Sequence, residues 1–327
     1  MTGLSDSFQR PINYLRISVT DRCNLRCIYC MPAEGVKLIP HDDILRYEEI
    51  YTIVKAAAEL GIDKVRLTGG EPLARLGIAD LVRMLARINS IDDISMTTNG
   101  ILLSKYATEL KAAGLNRVNV SLDTLQPDKF ARITRGNNFY DVIGGIEAAR
   151  AAGLNPVKIN MVVMAGVNDD ELLDFAKKTI DEEWHVRFIE MMPFAGQSIS
   201  IPRTISARDI KKLFDQLGKM EPYHHSAGNG PAKYYRFPGA KGTIGFISAL
   251  SEHFCFVCNR LRLTADGQLR PCLMSTKHID LREPLRRGIT QEELKVMIKQ
   301  AVDSKPLNHH LAEGMVPDDR PFCQVGG

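Results

Sequence analysis

Six of the seven cysteines in this chain fall into two sets of three. Cys23, Cys27 and Cys30 form C-x3-C-x2-C inside Thr20-Asp-Arg-Cys-Asn-Leu-Arg-Cys-Ile-Tyr-Cys. Three thiolates this close in sequence suit a soft metal centre. Structural zinc takes four ligands, and no histidine stands at a matching distance. A four-iron cluster can use three cysteines and keep one iron open. Cys255, Cys258 and Cys272 form C-x2-C-x13-C, a turn pair plus a cysteine after a hairpin. That pattern also fits a zinc ribbon. Its missing fourth ligand argues against zinc, since His253, the His309-His310 pair and Cys323 are all poorly spaced for the part.

Arg16, Arg66 and Lys158 sit in β-rich runs, where a charged side chain is costly unless it meets a partner or a ligand. Thr68-Gly-Gly-Glu-Pro72 ends one such run, and its glycines allow a close backbone approach. Thr97-Thr-Asn-Gly100 and Val120-Ser-Leu-Asp123 end two others and offer hydroxyl and amide groups.

The elements that carry these residues recur as strand then helix. Strands are expected at Asn13–Val19, Lys64–Thr68, Ile94–Thr97, Arg117–Leu122, Val157–Val163 and His185–Glu190. Helical patterns lie between them at Tyr47–Leu60, Ala79–Asn89, Ser104–Ala113, Tyr140–Ala152 and Asp169–Ile180. Gly61, Gly114 and Gly153 mark C-caps. Such alternation implies a parallel sheet. Six units are fewer than the eight of a closed barrel, so the expected α/β fold is an open, partial β/α barrel. The first cysteine set then lies at a strand C-terminal end, where barrel enzymes keep their chemistry.

The rhythm fails after about Gly218. Antiparallel strands are expected at Lys233–Phe237, Thr243–Ile247 and Arg260–Leu263, with a hairpin through Asp266-Gly267 to Gln268–Arg270. A last helix spans Gln291–Asp303. The expected division is residues 1–245 for the barrel and 246–327 for an α+β extension.

Composition excludes whole classes of function. The chain has 327 residues, 44% hydrophobic and 25% charged, as in a soluble globular protein. No window approaches the apolar length of a membrane span. The N-terminus reads as neither signal nor transit peptide, which points to the cytoplasm. A net charge of +3 is too mild for a nucleic-acid surface but leaves room for a local cationic pocket. An odd cysteine count without a secretion signal argues against a disulfide framework.

C-x3-C-x2-C with an aromatic before the last cysteine resembles the signature of the radical S-adenosylmethionine (SAM) superfamily. The resemblance implies that the open iron chelates SAM, whose reductive cleavage yields a 5′-deoxyadenosyl radical. Cys-Asn-Arg-Leu-Arg-Leu-Thr-Ala-Asp-Gly-Gln-Leu-Arg-Pro-Cys-Leu, residues 258–273, is similar to the C-terminal cluster segment of the GTP 3′,8-cyclases of molybdenum cofactor (molybdopterin) biosynthesis. It implies two 4Fe-4S clusters on the two cysteine sets and GTP as substrate. The product would be (8S)-3′,8-cyclo-7,8-dihydroguanosine 5′-triphosphate.

Matching residue by residue, the resemblance implies SAM contacts at Tyr29, Gly70, Ser121 and Met192. GTP contacts are implied at Arg16, Arg66, Thr97, Lys158, Arg260, Leu261 and Arg262, and a tail ending in Gly326-Gly327 that reaches the site. Arg16 is the candidate catalytic residue for the late reduction or protonation. A homodimer, an external one-electron reductant and a downstream cyclic pyranopterin-forming enzyme are further implied partners. Arginine forks and a lysine point charge suit a triphosphate. Cys323 departs from the family pattern and reads as a free thiol or a fourth ligand of the second cluster. The competing readings are another radical SAM enzyme with an auxiliary cluster and a non-enzymatic zinc-binding α/β protein.

Overall fold

The computed structural model describes residues 3–194, 197, 204–224, 229–309 and 320–325. Six strands, β1 (Tyr14–Ser18), β2 (Lys64–Thr68), β3 (Asp93–Thr98), β4 (Arg117–Ser121), β5 (Lys158–Val163) and β6 (His185–Glu190), pair in chain order. All five pairings are parallel. Helices α1 (Tyr47–Glu59), α2 (Ile78–Leu85), α3 (Leu103–Ala113), α4 (Pro127–Thr134), α5 (Phe139–Ala151) and α6 (Leu172–Asp181) return the chain between strands. Gly61, Gly114 and Gly153 do end helices, at φ of +107°, +109° and +75°.

Parallel strands covered on both faces normally read as unbroken apolar runs. These strands alternate instead. Leu15 and Ile17 of β1, and Val65 and Leu67 of β2, join the apolar layer under the helices. The intervening Tyr14, Arg16 and Arg66 face a central cavity. Alternation with charge on the concave side marks a lumen rather than a second core. Arg117 and Asp93, the first residues of β4 and β3, form a buried ion pair.

The C-terminal strands do not form a sheet of their own. β7 (Glu221–Pro222), β8 (Lys233–Arg236) and β9 (Thr243–Ile247) extend one edge. β10 (Arg260–Leu263), β11 (Gln268–Arg270) and β12 (Ile279–Asp280) extend the other. The expected antiparallel pairs β8·β9 and β10·β11 are present. However, β9 also pairs parallel with β6, and β10 pairs parallel with β1. The six-strand barrel is thereby widened at both edges, within one sheet of twelve strands among the described residues. Residue 245 lies inside β9, so a division there cuts through a strand of the common sheet. Three further helices, α7 (Ala207–Phe214), α8 (Arg282–Arg286) and α9 (Gln291–Asp303), complete the described chain. No helix among the described residues is long and apolar enough to cross a membrane.

Candidate active site between two cysteine triads

The strand directions place the two triads at opposite ends of the lumen. Cys23, Cys27 and Cys30 follow the C-terminal end of β1. Cys258 precedes β10, which runs parallel to β1, and Cys272 follows the antiparallel β11. Both therefore lie level with the N-terminal end of β1, where Asn13 N–H donates to Asn259 O at 3.2 Å. A five-residue strand is about 16 Å long, and that sets the scale of the separation. One cavity of about 300 Å³ reaches all six cysteines.

All seven cysteines are free thiols. Around the first triad, Leu25 N–H donates to Cys23 Sγ at 3.4 Å and Asn99 Nδ2 approaches it at 3.9 Å. Burial pushes the Cys23 thiol up to about 11 and raises Cys27 and Cys30 as well. Around the second triad, burial is outweighed at Cys258 by Arg260 and Lys305, which bring that thiol down to about 6. Among the described residues no three His, Cys, Asp or Glu side chains converge as a single-ion site. A cluster does not ask for that convergence, because each of its thiolates holds a different iron. Three unbridged thiols on one cavity wall, with N–H groups aimed at sulfur, form a donor set that fits an iron–sulfur group.

The loops that present the first triad are locked together. Gly70 N–H donates to Thr20 O at 2.7 Å and Glu71 N–H to Arg22 O at 2.8 Å. A Cβ on Gly69 would stand 2.4 Å from Thr20 O, and one on Gly70 would stand 2.3 Å from Arg22 O. The close approach that these glycines allow is thus to the backbone of the cysteine loop. The Glu71 carboxylate accepts from Leu73 N–H, Thr98 Oγ1 and Asn99 N–H, fastening β2 to the end of β3. Burial lifts its pKa to about 7 against those three donors. Tyr29 Oη donates to Asp123 at 2.7 Å, and Asp123 also accepts from Val162 N–H at 2.8 Å.

Between the triads lies a band of cations. Arg16 pairs in register with Arg66 on one side and Arg262 on the other. Arg66, only 6% exposed, donates to Tyr14 Oη and reaches Thr97 Oγ1 at 3.4 Å. Arg260 and Arg262 face the same cavity. Lys158 does not line the cavity: it is buried behind that wall, 3% exposed, with its ammonium 5.2 Å from the Tyr234 ring. Burial, then Arg187, Arg117 and Arg66, pull it down to about 6.

Of the residues expected from sequence, Tyr29, Gly70, Thr97, Ser121 and Met192 line the cavity. The Leu261 side chain does not: it alternates away from Arg260 and Arg262 and is 1% exposed in the outer apolar layer. Only its main chain is left for a ligand. Gly326 and Gly327 lie outside the described residues. Cys323 is not beside the second triad, as a fourth ligand there would have to be. It is buried beside Cys30 and Cys23, whose charges it feels. Sequence reasoning missed Arg187, a buried arginine of β6 that lines the cavity between Asn160 and Gly245 in the register. It also missed Tyr14. A charge at an alternating strand position is the signal that could have found Arg187.

Comparison with known proteins agrees with this geometry. Residues 17–179 match the model of the radical SAM superfamily, and residues 184–311 match the one described as Molybdenum Cofactor Synthesis C. A GTP 3′,8-cyclase of Pelotomaculum thermopropionicum is 53% identical over 99% of this chain and 100% of the relative. One of Moorella thermoacetica is 52% identical over 99% and 100%. Among solved structures, Streptococcus suis SuiB bound to S-adenosylmethionine superposes with a TM-score of 0.58 at 18% identity, covering 87% of this chain and 68% of that one. anSMEcpe with bound AdoMet gives 0.58 at 19% identity, over 88% and 81%. These two share the fold, and the near full-length relatives decide the family: the chain belongs to the GTP 3′,8-cyclase family of the radical SAM superfamily.

Proposed function

We propose that this chain converts GTP to (8S)-3′,8-cyclo-7,8-dihydroguanosine 5′-triphosphate, the first step of molybdopterin biosynthesis. One observation carries the reading: a band of lumen-facing arginines between two free cysteine triads in one cavity. A 4Fe-4S cluster held by Cys23, Cys27 and Cys30 would bind SAM, and a second on Cys255, Cys258 and Cys272 would meet the guanine base. When bound, the first cluster and SAM supply the 5′-deoxyadenosyl radical that activation of the ribose 3′ carbon requires.

The chain's own work is placement. Arg16, Arg66, Arg262 and Lys158, joined by Arg187, would hold the triphosphate. Each is a buried cation with other cations as close neighbours, a crowding that an anionic ligand would offset. Tyr29, Gly70, Ser121 and Met192 would contact SAM at the first-triad end, and Thr97 and Arg260 the substrate. Arg16 is the residue we assign to the late protonation or reduction. Burial and its cationic neighbours, Arg262 first, hold its pKa well below that of an ordinary guanidinium. We place this activity in the cytoplasm, as a homodimer served by an external one-electron reductant and followed by a cyclic pyranopterin-forming enzyme. In this reading residues 1–245 generate the radical and residues 246–327 hold the second cluster and the base. The test is an anaerobic assay with GTP, SAM and dithionite. Formation of the cyclised nucleotide with 5′-deoxyadenosine supports the function. SAM cleavage with GTP unchanged in fully loaded protein overturns it.

A further inference from the structure

The three thiols of the second triad sit on two segments, the outer flanks of the β10–β11 hairpin, whose ladder pairs Arg262 with Arg270 but stops short of the cysteines. Two buried cations tie those flanks down. Lys305, two residues after the end of α9, is 3% exposed. Its Nζ donates to Arg260 O at 2.8 Å and to Pro271 O at 2.6 Å. Arg260 lies two residues after Cys258, and Pro271 immediately precedes Cys272. Arg10 works from the other side. It donates to Cys255 O at 2.7 Å and, in the stretch that follows Lys305, to Pro306 O at 2.7 Å and Leu307 O at 2.8 Å. Asp6 neutralises Arg10 through Nε at 2.6 Å.

The two cations differ in one respect. Arg10 has its carboxylate. Lys305 has only carbonyl dipoles, and among the described residues no carboxylate forms an ion pair with it. A buried charge in that position is strongly destabilising without a counter-charge. The negative groups that it does feel are the thiolates of Cys258 and Cys272.

We propose that Lys305 is a positioning residue of the second cysteine triad, clasping its two segments together and serving as the buried counter-charge of the iron–sulfur centre they hold. This rests on the second triad holding a cluster, as proposed above. Three thiolates make such a centre anionic, and each added electron makes it more so. A fixed ammonium beside it therefore favours the reduced form. Arg10 contributes position without net charge, because Asp6 cancels it.

The experiment compares anaerobically reconstituted wild type, Lys305→Met, Lys305→Arg and Arg10→Lys. The readouts are iron and sulfide content, chelator resistance and redox titration followed by electron paramagnetic resonance. Lys305→Met is expected to lower the midpoint potential of the second cluster, or to lose its iron, while the first cluster keeps its signal. Lys305→Arg restores charge and should return the potential towards wild type. Arg10→Lys should lose second-centre iron faster to a chelator with little change in potential, which tests the clasp even if Lys305→Met folds poorly. Wild-type iron retention and potential in both Lys305→Met and Arg10→Lys overturn the clasp. A wild-type protein with a single cluster signal overturns the two-cluster reading beneath it instead.

Discussion

Arg16 of β1 and Arg262 of β10 stand at directly paired positions on two parallel strands and face the same lumen. Neighbouring strands lie about 4.8 Å apart, so two guanidiniums are held side by side in a buried wall. Burial and Arg260 pull Arg262 down to about 10. Natural sheets avoid like charges at paired positions because they repel. The wall is built for an anion.

The first prediction follows. Arg262→Met should weaken GTP use by about ten- to a hundredfold, the worth of roughly 1.5–3 kcal/mol for a charge-assisted contact. SAM binding should stay within twofold. The same change should shrink the rise in melting temperature that GTP gives. Thermal unfolding with and without GTP reads that rise. An undiminished rise together with unchanged GTP affinity would remove Arg262 from the site.

The second prediction concerns protons. Lys158 in the free protein is held near 6, below the lysine value of 10.5. At pH 7.5 it is mostly neutral. A triphosphate nearby favours the ammonium and raises that pKa. GTP binding at pH 7.5 should therefore take up protons, and GTP affinity should fall as pH rises above about 6. Calorimetry in two buffers of different ionisation enthalpy measures the uptake directly. Lys158→Met should abolish most of it, and uptake unchanged in that variant would assign the protons elsewhere.

Much of this site is legible in sequence for one physical reason. A cation in a strand with apolar neighbours is expensive, so Arg16, Arg66 and Lys158 stand out before any fold is known. Arg187 carries the same signal, a cation between Val186 and Phe188, but it is blunted by the polar His185 and Glu190 that end the strand. The periodicity reports which face a residue takes but not which strand lies next to it. That is why β9 and β10 read as an antiparallel unit. Their parallel partners, β6 and β1, are far away in the chain. Lys305 is illegible for the same reason: a lysine after a helix looks like a solvated end until β10 and β11 are brought against it.

The third prediction divides the cysteines. Alanine at Cys23, Cys27 or Cys30 should abolish SAM cleavage. Alanine at Cys255, Cys258 or Cys272 should abolish cyclisation while leaving uncoupled SAM cleavage, because the two triads lie at opposite ends of the lumen. Wild type should carry about eight iron per chain and each variant about half, as expected for two four-iron clusters. Bound zinc with about four iron in wild type would replace the second cluster by a zinc site.

The last prediction concerns the tail that approaches the first triad. Residues 320–325 are tied at several points. Arg320 makes two 2.8 Å bonds to Asp266, in the turn between β10 and β11. The Phe322 ring lies 4.7 Å from that of Phe194, and Gln324 Nε2 donates to Lys37 O at 2.9 Å. Cys323 and Val325 are buried. So the segment is anchored on the turn of the β10–β11 hairpin, at the same end of the lumen as the first triad, and Gly326-Gly327 is proposed to continue into the site. Deleting these two glycines should nearly abolish cyclisation with both clusters loaded. Arg320→Ala should act in the same direction but less, about tenfold, because one bidentate charge pair is lost while the aromatic contact remains. Cys323→Ser should leave iron content unchanged, since in the proposed reading three thiols hold each cluster and Cys323 stands beside the first triad only as a neutral neighbour. Burial supports that neutrality by pushing its thiol up to about 12. Iron analysis and product formation on the three variants in parallel decide the matter. Full activity in the truncated protein would dismiss the tail, and loss of first-cluster iron in Cys323→Ser would make that thiol a ligand.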